Sequence, residues 1–134
     1  MTTEKRFEDL HVWRSARALV KTIYEVSGHG EFGRDVGLKD QVRRAAVSVR
    51  SNIAEGFNAG SDSESTRFYG MGRRSNPEVH SQPDIAPDLK YTSEERFKSI
   101  CERANMIERA LNSMISNPAR STKKVIKEIP ATSH

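Results

Sequence analysis

The chain has few of the features that are typical of membrane or secreted proteins. Its 134 residues include a single cysteine, Cys101, so no disulfide can form within the chain. No apolar run approaches the roughly 20 residues that a membrane-spanning helix needs. The N-terminus lacks the apolar stretch of a signal peptide. We therefore expect a cytoplasmic protein that has no membrane partner.

Motifs of catalysis and metal binding are also missing. There is no glycine-rich phosphate loop, and no nucleophile stands at a recognisable spacing from a base. The four histidines, at positions 11, 29, 80 and 134, are too scattered to pair as metal ligands. Glu55 and Glu64 are better explained as solvated or salt-bridged residues than as catalytic carboxylates. The sequence thus predicts no enzyme activity, no catalytic residue, no metal and no cofactor.

The excess of basic residues lies mainly at the C-terminal end. The formal net charge is +4, but residues 1–117 carry 18 Lys and Arg against 17 Asp and Glu. Residues 118–134 carry four basic residues against one acidic residue. They are also polar, with only scattered apolar positions. We predict one folded domain over 1–117 and a disordered, flexible basic tail over 118–134.

Apolar residues at helical spacing predict the first helix over residues 7–26, with Asp9 as its N-cap. The tryptophan of this stripe is best explained as a core or interface anchor. A glycine-rich stretch follows and ends the helix. The apolar stripe consists of Leu10, Trp13, Ala16, Val20, Ile23 and Tyr24.

The stretch from Asp40 to Gly56 forms most of the second predicted helix. Its stripe is made of small and β-branched residues, so other helices can pack closely against it. We predict that this helix spans residues 38–55 and that Gly56 ends it. The stripe consists of Val42, Ala45, Ala46, Val49 and Ile53.

Two capping boxes mark later helix starts. Ser61-x-x-Glu64 predicts a third helix from Asp62, and a second box that begins at Thr92 precedes a long amphipathic helix. That last helix should end at residue 117, because a proline follows. Its apolar stripe includes Cys101, which predicts a buried thiol.

Prolines at positions 77, 83 and 87 conflict with a long third helix. Each would cost roughly 3 kcal/mol or more inside a helix. We predict that the third helix is interrupted after residue 76 and is kinked, short or non-helical up to residue 90. Four helical segments with short connections and no strand pattern then predict an all-α, antiparallel up-and-down four-helix bundle.

Arginines on the second and third helices form the candidate nucleic-acid site. Arg43 and Arg50 are seven residues apart and share one face, with Arg44 about 100° around the helix. Arg73 and Arg74 would extend this surface if the third helix lies beside the second. Neighbouring arginines can bind phosphates through two hydrogen bonds each. The alternative is that they pair with carboxylates of this chain or of a neighbouring subunit.

Asn52 and Glu55 lie three residues apart on the second helix. They could form a binding pair. We interpret them instead as a structural polar motif that hydrogen-bonds across the bundle or to the loop after Gly56, because buried polar groups need partners.

Four stretches of the chain resemble a bacterial family of four-helix bundle proteins first noticed as products of intervening sequences in 23S ribosomal RNA genes. The resemblance covers about residues 7–115, and the accessory proteins of diversity-generating retroelements are similar. The stretches are FEDLHVWRSAR, GLKDQVRRAAVSVRSNIAEGF, SESTRFYGMGRRS and SNPEVHSQPDIAPDLKY.

The resemblance implies a homo-oligomeric bundle that assembles into rings, pentamers in particular, and it implies no catalytic activity. The accessory relatives bind nucleic acid and a reverse transcriptase through basic surfaces. The chain departs from the family in its third helix. Gly72, Arg74 and Pro83 stand where the family usually has alanine, glycine and an aliphatic residue.

Two functions follow as expectations. The first is a non-enzymatic, oligomeric helical-bundle protein that binds RNA or DNA through its basic helix surfaces. The second is a structural scaffold that binds a partner protein and no nucleic acid.

Overall fold

The computed structural model describes residues 3–117, of which residues 3–10 are described by their backbone alone. Within this range the chain is helical and contains no strand, which confirms the all-α prediction. The predicted tail, residues 118–134, lies outside the described residues. The helices are α1 (Thr3–Ser27), α2 (Gly30–Arg34), α3 (Val36–Asn58), α4 (Asp62–Ser75), α5 (Glu78–Ser81), a 3-10 turn (Gln82–Ile85) and α6 (Glu94–Ser116).

Four of these helices are long, and they pack around one apolar core. α3 packs against α1 and α4, and α6 packs against the same two helices. Contacts between α3 and α4 run in opposite directions: Ser48 meets Ser75, and the backbone oxygen of Gly56 accepts from Ser65 Oγ. These two helices are therefore antiparallel. The largest fully buried apolar side chains are Trp13, Leu19, Val42, Val49, Ile53, Phe57, Tyr69, Val79, Ile107 and Leu111.

α1 begins well before the predicted N-cap. Its first residue is Thr3, so Asp9 lies inside the helix, and that assignment is wrong. The residues before Asp9 include Glu, Lys and Arg, which have high helix propensity and extend the helix. The stripe also differs from the prediction, because Leu19 is buried and Tyr24 is 43% exposed.

The glycine-rich stretch after α1 contains the short helix α2, which the sequence did not predict. Phe32 of α2 is buried, and its ring stacks on Tyr91 at a centroid distance of 5.2 Å. Asp35 follows as the N-cap of α3: its Oδ1 accepts from the backbone N–H of Leu38 at 3.1 Å. α3 thus starts before the predicted residue 38 because Asp35 supplies the cap.

Gly56 does not end α3, which continues to Asn58. The glycine is buried against the ring of Tyr69, and a Cβ at this position would lie 2.2 Å from Tyr69 Cε1. The prediction of a C-terminal stop was wrong because this glycine allows a close approach between two helices. Its conformational freedom is not used here.

α4 begins at the predicted residue, Asp62, because Ser61 Oγ accepts from the backbone N–H of Glu64. The helix ends at Ser75, one residue before the predicted break, and two short turns carry the chain to Ile85. The buried Asn76 ties this break to α6 by donating to the backbone oxygen of Ala104 at 2.7 Å. The segment after the break still packs on the core.

α6 uses Ser93 as its N-cap, one residue after the predicted Thr92. Ser93 Oγ accepts from the backbone N–H of Arg96 at 3.0 Å. The helix ends before Asn117 as expected. Cys101 is half-buried, and burial raises the pKa of its thiol. Within residues 3–117 no helix is both long and apolar enough to cross a membrane.

Candidate nucleic-acid interface

Arg43 lies on the side of α3 that faces α1, where three contacts hold its guanidinium. Its Nε donates to Ser27 Oγ at 2.8 Å, and its Nη2 donates to the backbone oxygen of Tyr24 at 3.2 Å. The guanidinium carbon also lies 4.2 Å from the centroid of the Tyr24 ring. Arg43 therefore joins the start of α3 to the end of α1.

Arg44 is exposed on the other side of α3. It lines a groove of about 270 Å³ together with Ser48, Ser75 and Glu78. Among the ion pairs between described residues, none includes Arg44. This groove combines one cation, one carboxylate and two hydroxyls, so its charge is balanced.

Arg50 shares the α1-facing side with Arg43, because seven residues are close to two full helical turns. Its side chain is half-buried. The Nε atom is fully buried and has no hydrogen-bond acceptor. The two arginines of one stripe thus differ, since the first has its donors satisfied and the second does not.

α4 does lie beside α3, as the candidate surface requires, but its two arginines point elsewhere. Arg73 Nη1 donates to Asn112 Oδ1 of α6 at 3.0 Å. Arg74 is exposed and takes no part in the ion pairs between described residues. Arg43 and Arg50 therefore share one side of α3, two turns apart, whereas Arg73 is hydrogen-bonded to α6.

Asn52 and Glu55 do not bond to each other. Asn52 Nδ2 donates to the backbone oxygen of Ser48 at 2.9 Å and lies 3.2 Å from Ser48 Oγ. Ser48 Oγ is 2.8 Å from Ser75 Oγ, so Asn52 belongs to a small polar network between α3 and α4. Glu55 is exposed, and the ion pairs within the described range do not include it.

The charges of the folded part are segregated along the chain. Residues 11–24, 41–54 and 65–77 each contain three Lys or Arg and no Asp or Glu. The first two windows form the middle parts of α1 and α3, and the third runs from the second turn of α4 to two residues past its end. The near-zero net charge of residues 1–117 hid this segregation. A scan for acid-free windows would have found it in the sequence.

Sequence reasoning missed three cations of α1 as site residues. Arg14, Arg17 and Lys21 are exposed and recur at steps of three and four, so they form one stripe. The stripe leans toward α3, because Tyr24, the next position along it, contacts Arg43. We call the surface formed by Arg14, Arg17, Lys21, Arg43 and Arg50 the α1–α3 groove.

Residues 11–24 of α1 and 41–54 of α3 contain no Asp or Glu, but Glu25, Asp40 and Glu55 directly border these windows. Glu25 lies 3.9 Å from Arg96 at the end of α1. At the start of α3, Tyr91 donates to Asp35 Oδ2 at 3.0 Å, and this hydrogen bond raises the pKa of the Tyr91 phenol. Among the described residues, no three His, Cys, Asp or Glu side chains lie close enough to hold a metal ion.

Comparison with known proteins places the chain in a family. A family model described as "23S rRNA-intervening sequence protein" matches residues 8–113. That range contains all four long helices, apart from their outermost residues, and the whole α1–α3 groove. No curated protein matches the chain.

Proposed function

We propose a function for a chain that belongs to the 23S rRNA-intervening sequence protein family: it binds RNA or DNA through the cationic faces of α1 and α3 and catalyses no reaction. A cytoplasmic location fits such a ligand. The observation that carries the proposal is the absence of carboxylates from residues 11–24 and 41–54, which hold six Lys and Arg residues.

The contacts of these cations favour an external anion over an internal partner. Arg14, Arg17, Lys21 and Arg50 take part in none of the ion pairs between described residues. By contrast, Arg67 of α4 is paired with Glu64 at 3.2 Å. Cations that line a groove without local carboxylates attract a polyanion, and phosphate contacts supply most of the sequence-independent affinity for nucleic acid.

Fluorescence anisotropy with labelled structured RNA and DNA at micromolar protein tests the proposal. If Arg14, Arg17, Lys21 and Arg50 each neutralise one phosphate of a single strand, the salt slope is about −2.8, and affinity falls about 50-fold between 50 and 200 mM salt. Absence of a salt-dependent signal near 100 mM salt would contradict nucleic-acid binding.

Two variants and one deletion locate the binding surface. The double substitution Arg14→Gln and Lys21→Gln should weaken binding and make the salt slope shallower by about 1.4. Arg109→Gln, which removes an exposed cation of α6, is the matched control and should change little. Deletion of residues 118–134 should leave the binding by the helices in place. If all affinity disappears with the tail, the helical faces are not the site.

The second candidate function is a scaffold made of several copies of the chain. Among the residues whose side chains the structure describes, four large apolar side chains are exposed, between 43% and 58%: Tyr24, Val36, Ile85 and Leu89. They lie in or near the connections and could be covered in an assembly, for which the resemblance implies a pentameric ring. Sedimentation at micromolar concentration tests this candidate. A strict monomer would contradict it, and a ring that binds no RNA or DNA would favour it over the first.

A further inference from the structure

A second cavity, of about 360 Å³, lies between the end of α1 and the start of α6. Small-molecule sites in proteins usually have volumes of about 300–1,000 Å³. The wall combines an aliphatic side chain, two flat rings, a hydroxyl, a carboxylate and a guanidinium. Such a wall suits a flat heterocycle with a polar edge. The lining residues are Glu25, Val26, His29, Tyr91, Thr92 and Arg96.

Tyr91 is a wall of this cavity that several contacts hold in place. Its ring stacks on the buried Phe32, and its hydroxyl donates to Asp35 Oδ2 at 3.0 Å. Its backbone N–H donates to the backbone oxygen of Ala86 at 2.8 Å. The preceding Lys90 has a φ of 62°, a left-handed conformation that is uncommon outside glycine. Because the ring is fixed before a ligand arrives, stacking on it has a low entropy cost.

Arg96 and Glu25 place a hydrogen-bond donor beside an acceptor in the cavity wall. Arg96 Nη2 lies 3.9 Å from Glu25 Oε1, which is longer than a hydrogen bond. The two side chains are 51% and 53% exposed, and neither is hydrogen-bonded to another described residue. By contrast, Arg34 is bonded to Glu31 at 2.8 Å. The guanidinium of Arg96 and the carboxylate of Glu25 are therefore open to a ligand.

The cavity adjoins one end of the α1–α3 groove. Tyr24 and Ser27 of α1 are bonded to Arg43 at that end. The two residues between them, Glu25 and Val26, line the cavity. Proteins that bind single strands commonly place aromatic side chains beside a cationic groove and stack unpaired bases on them. The cavity lies where such a base would be bound.

We propose that this cavity binds one unpaired guanine. The inference rests on the proposed function, since the guanine belongs to the RNA or DNA strand in the groove. The Watson–Crick edge of guanine carries one acceptor, O6, next to two N–H donors. Arg96 donates to O6, Glu25 accepts from both N–H groups, and the base packs on Tyr91. Adenine, cytosine and uracil lack two neighbouring N–H groups on this edge.

This assignment separates two kinds of contact with the strand. The cations of the groove contact phosphates, which carry no sequence information, whereas the cavity contacts the edge of a base. Replacement of Arg96 should therefore weaken binding of a strand that contains unpaired guanine more than binding of an all-uracil strand. Replacement of Arg14 and Lys21 should weaken both strands by the same factor.

Guanosine monophosphate is the direct probe, titrated into isotope-labelled full-length protein and followed by NMR chemical shifts. We expect saturable shifts. Inosine monophosphate, which lacks only the exocyclic amine, should bind about tenfold more weakly, because it loses a hydrogen bond to a charged acceptor. Uridine monophosphate should bind no more tightly than inosine monophosphate. Arg96→Gln should weaken guanosine monophosphate about tenfold, and Arg109→Gln on the same helix is the control.

Glu25→Ala tests the acceptor separately. In this variant guanosine and inosine monophosphates should bind with equal affinity, whereas Glu102→Ala, an exposed carboxylate of α6, should keep the wild-type difference. Both positions are exposed, so the fold should be kept, and melting of each variant checks this. Three results would each overturn the guanine site: no saturable shift, equal binding of the three nucleotides by the wild type, or equal binding of guanosine monophosphate by Arg96→Gln and Arg109→Gln.

Fluorescence anisotropy with guanine-containing and all-uracil strands distinguishes the guanine site from the proposed function. Strands that bind equally tightly, with no difference between Arg96→Gln and Arg109→Gln, overturn the site and leave the function standing. Guanosine monophosphate binding in a protein that binds neither RNA nor DNA overturns the function, and the cavity then binds a free nucleotide. Preference for the guanine strand that disappears in Arg96→Gln and in Glu25→Ala supports both.

Discussion

The two sides of α3 differ in what their polar groups do. Toward α4, small residues allow close contact: Gly56 lies against the Tyr69 ring, and Ser48 is hydrogen-bonded to Ser75. Toward α1, the helix carries arginines, and Arg50 keeps a buried donor without an acceptor. On the side toward α4 the small polar residues find partners within the fold, and on the side toward α1 the buried Nε of Arg50 has no acceptor among the described residues.

This difference is not a matter of residue type. Arg43 and Arg50 lie on the same stripe of the same helix, yet Arg43 donates to Ser27 and Tyr24 while Arg50 Nε donates to nothing. The position of each arginine along the α1–α3 groove determines whether it finds an acceptor within the fold. At the end of the groove the chain of α1 stops and exposes acceptors, whereas in its middle the helix backbone is already paired.

The largest effect is expected on the α4 side, from Gly56→Ala. The new Cβ would lie 2.2 Å from a ring carbon of Tyr69, which is fully buried and has little room to move. We expect a loss of about 3 kcal/mol in the free energy of unfolding, measured by urea denaturation. Gly60→Ala, where a Cβ meets nothing within 4 Å, is the control and should stay close to the wild type. Equal stability of the two variants would show that the helices can separate here.

The second effect is expected at the end of the α1–α3 groove, from Arg43→Gln. The variant loses a hydrogen bond to Ser27, another to Tyr24, and the contact with the Tyr24 ring. We expect destabilisation by about 2 kcal/mol in the same assay. Arg44→Gln removes an exposed arginine from the next position and should change stability little. If the two variants have the same free energy of unfolding, Arg43 is not the link between α1 and α3.

Ser75→Ala should have a smaller effect on the α4 side. It removes the 2.8 Å hydrogen bond to Ser48 Oγ and leaves that hydroxyl with Asn52. We expect a loss of about 1 kcal/mol by urea denaturation. Ser63→Ala, an exposed position on the same helix, makes the same change in helix propensity and serves as the control. If Ser75→Ala is as stable as this control, the hydrogen bond between Ser75 and Ser48 does not stabilise the fold.

The smallest effect on stability is expected in the middle of the groove, from Arg50→Gln. The substitution removes a buried cationic donor that has no partner, so we expect stability within about 0.5 kcal/mol of the wild type. The contrast with Arg43→Gln is the sharpest test of the two roles, since both remove one arginine from the same stripe. Destabilisation as large as that of Arg43→Gln would show that Arg50 serves the fold.

The helix ends that were predicted correctly depend on interactions between residues that are close together in the chain. Ser61 caps α4 three residues before Glu64, as the capping box predicts. The third helix ends at Ser75, beside the first of the three prolines. The cap of α6 was predicted one residue too early, at Thr92, because the neighbouring Ser93 carries a hydroxyl that can also cap the first turn.

The candidate site was predicted in part. The spacing of Arg43 and Arg50 placed both on one face of α3, and the structure puts that face beside α1. The cations of α1 were visible as a stripe but were not assigned to the site. Which helix faces them depends on contacts such as Arg43 with Tyr24, which join residues far apart in sequence.

The sequence by itself determined the all-α class, the start of α4 at its Ser61 cap and the acid-free windows, because each depends on residues that are close together in the chain. Only the tertiary structure decided that Gly56 is a contact and not a stop. It also decided that Arg43 is bonded to α1, whereas Arg50 Nε has no acceptor among the described residues. The physical reason is that such contacts join residues that are far apart in the chain and meet only in the folded protein.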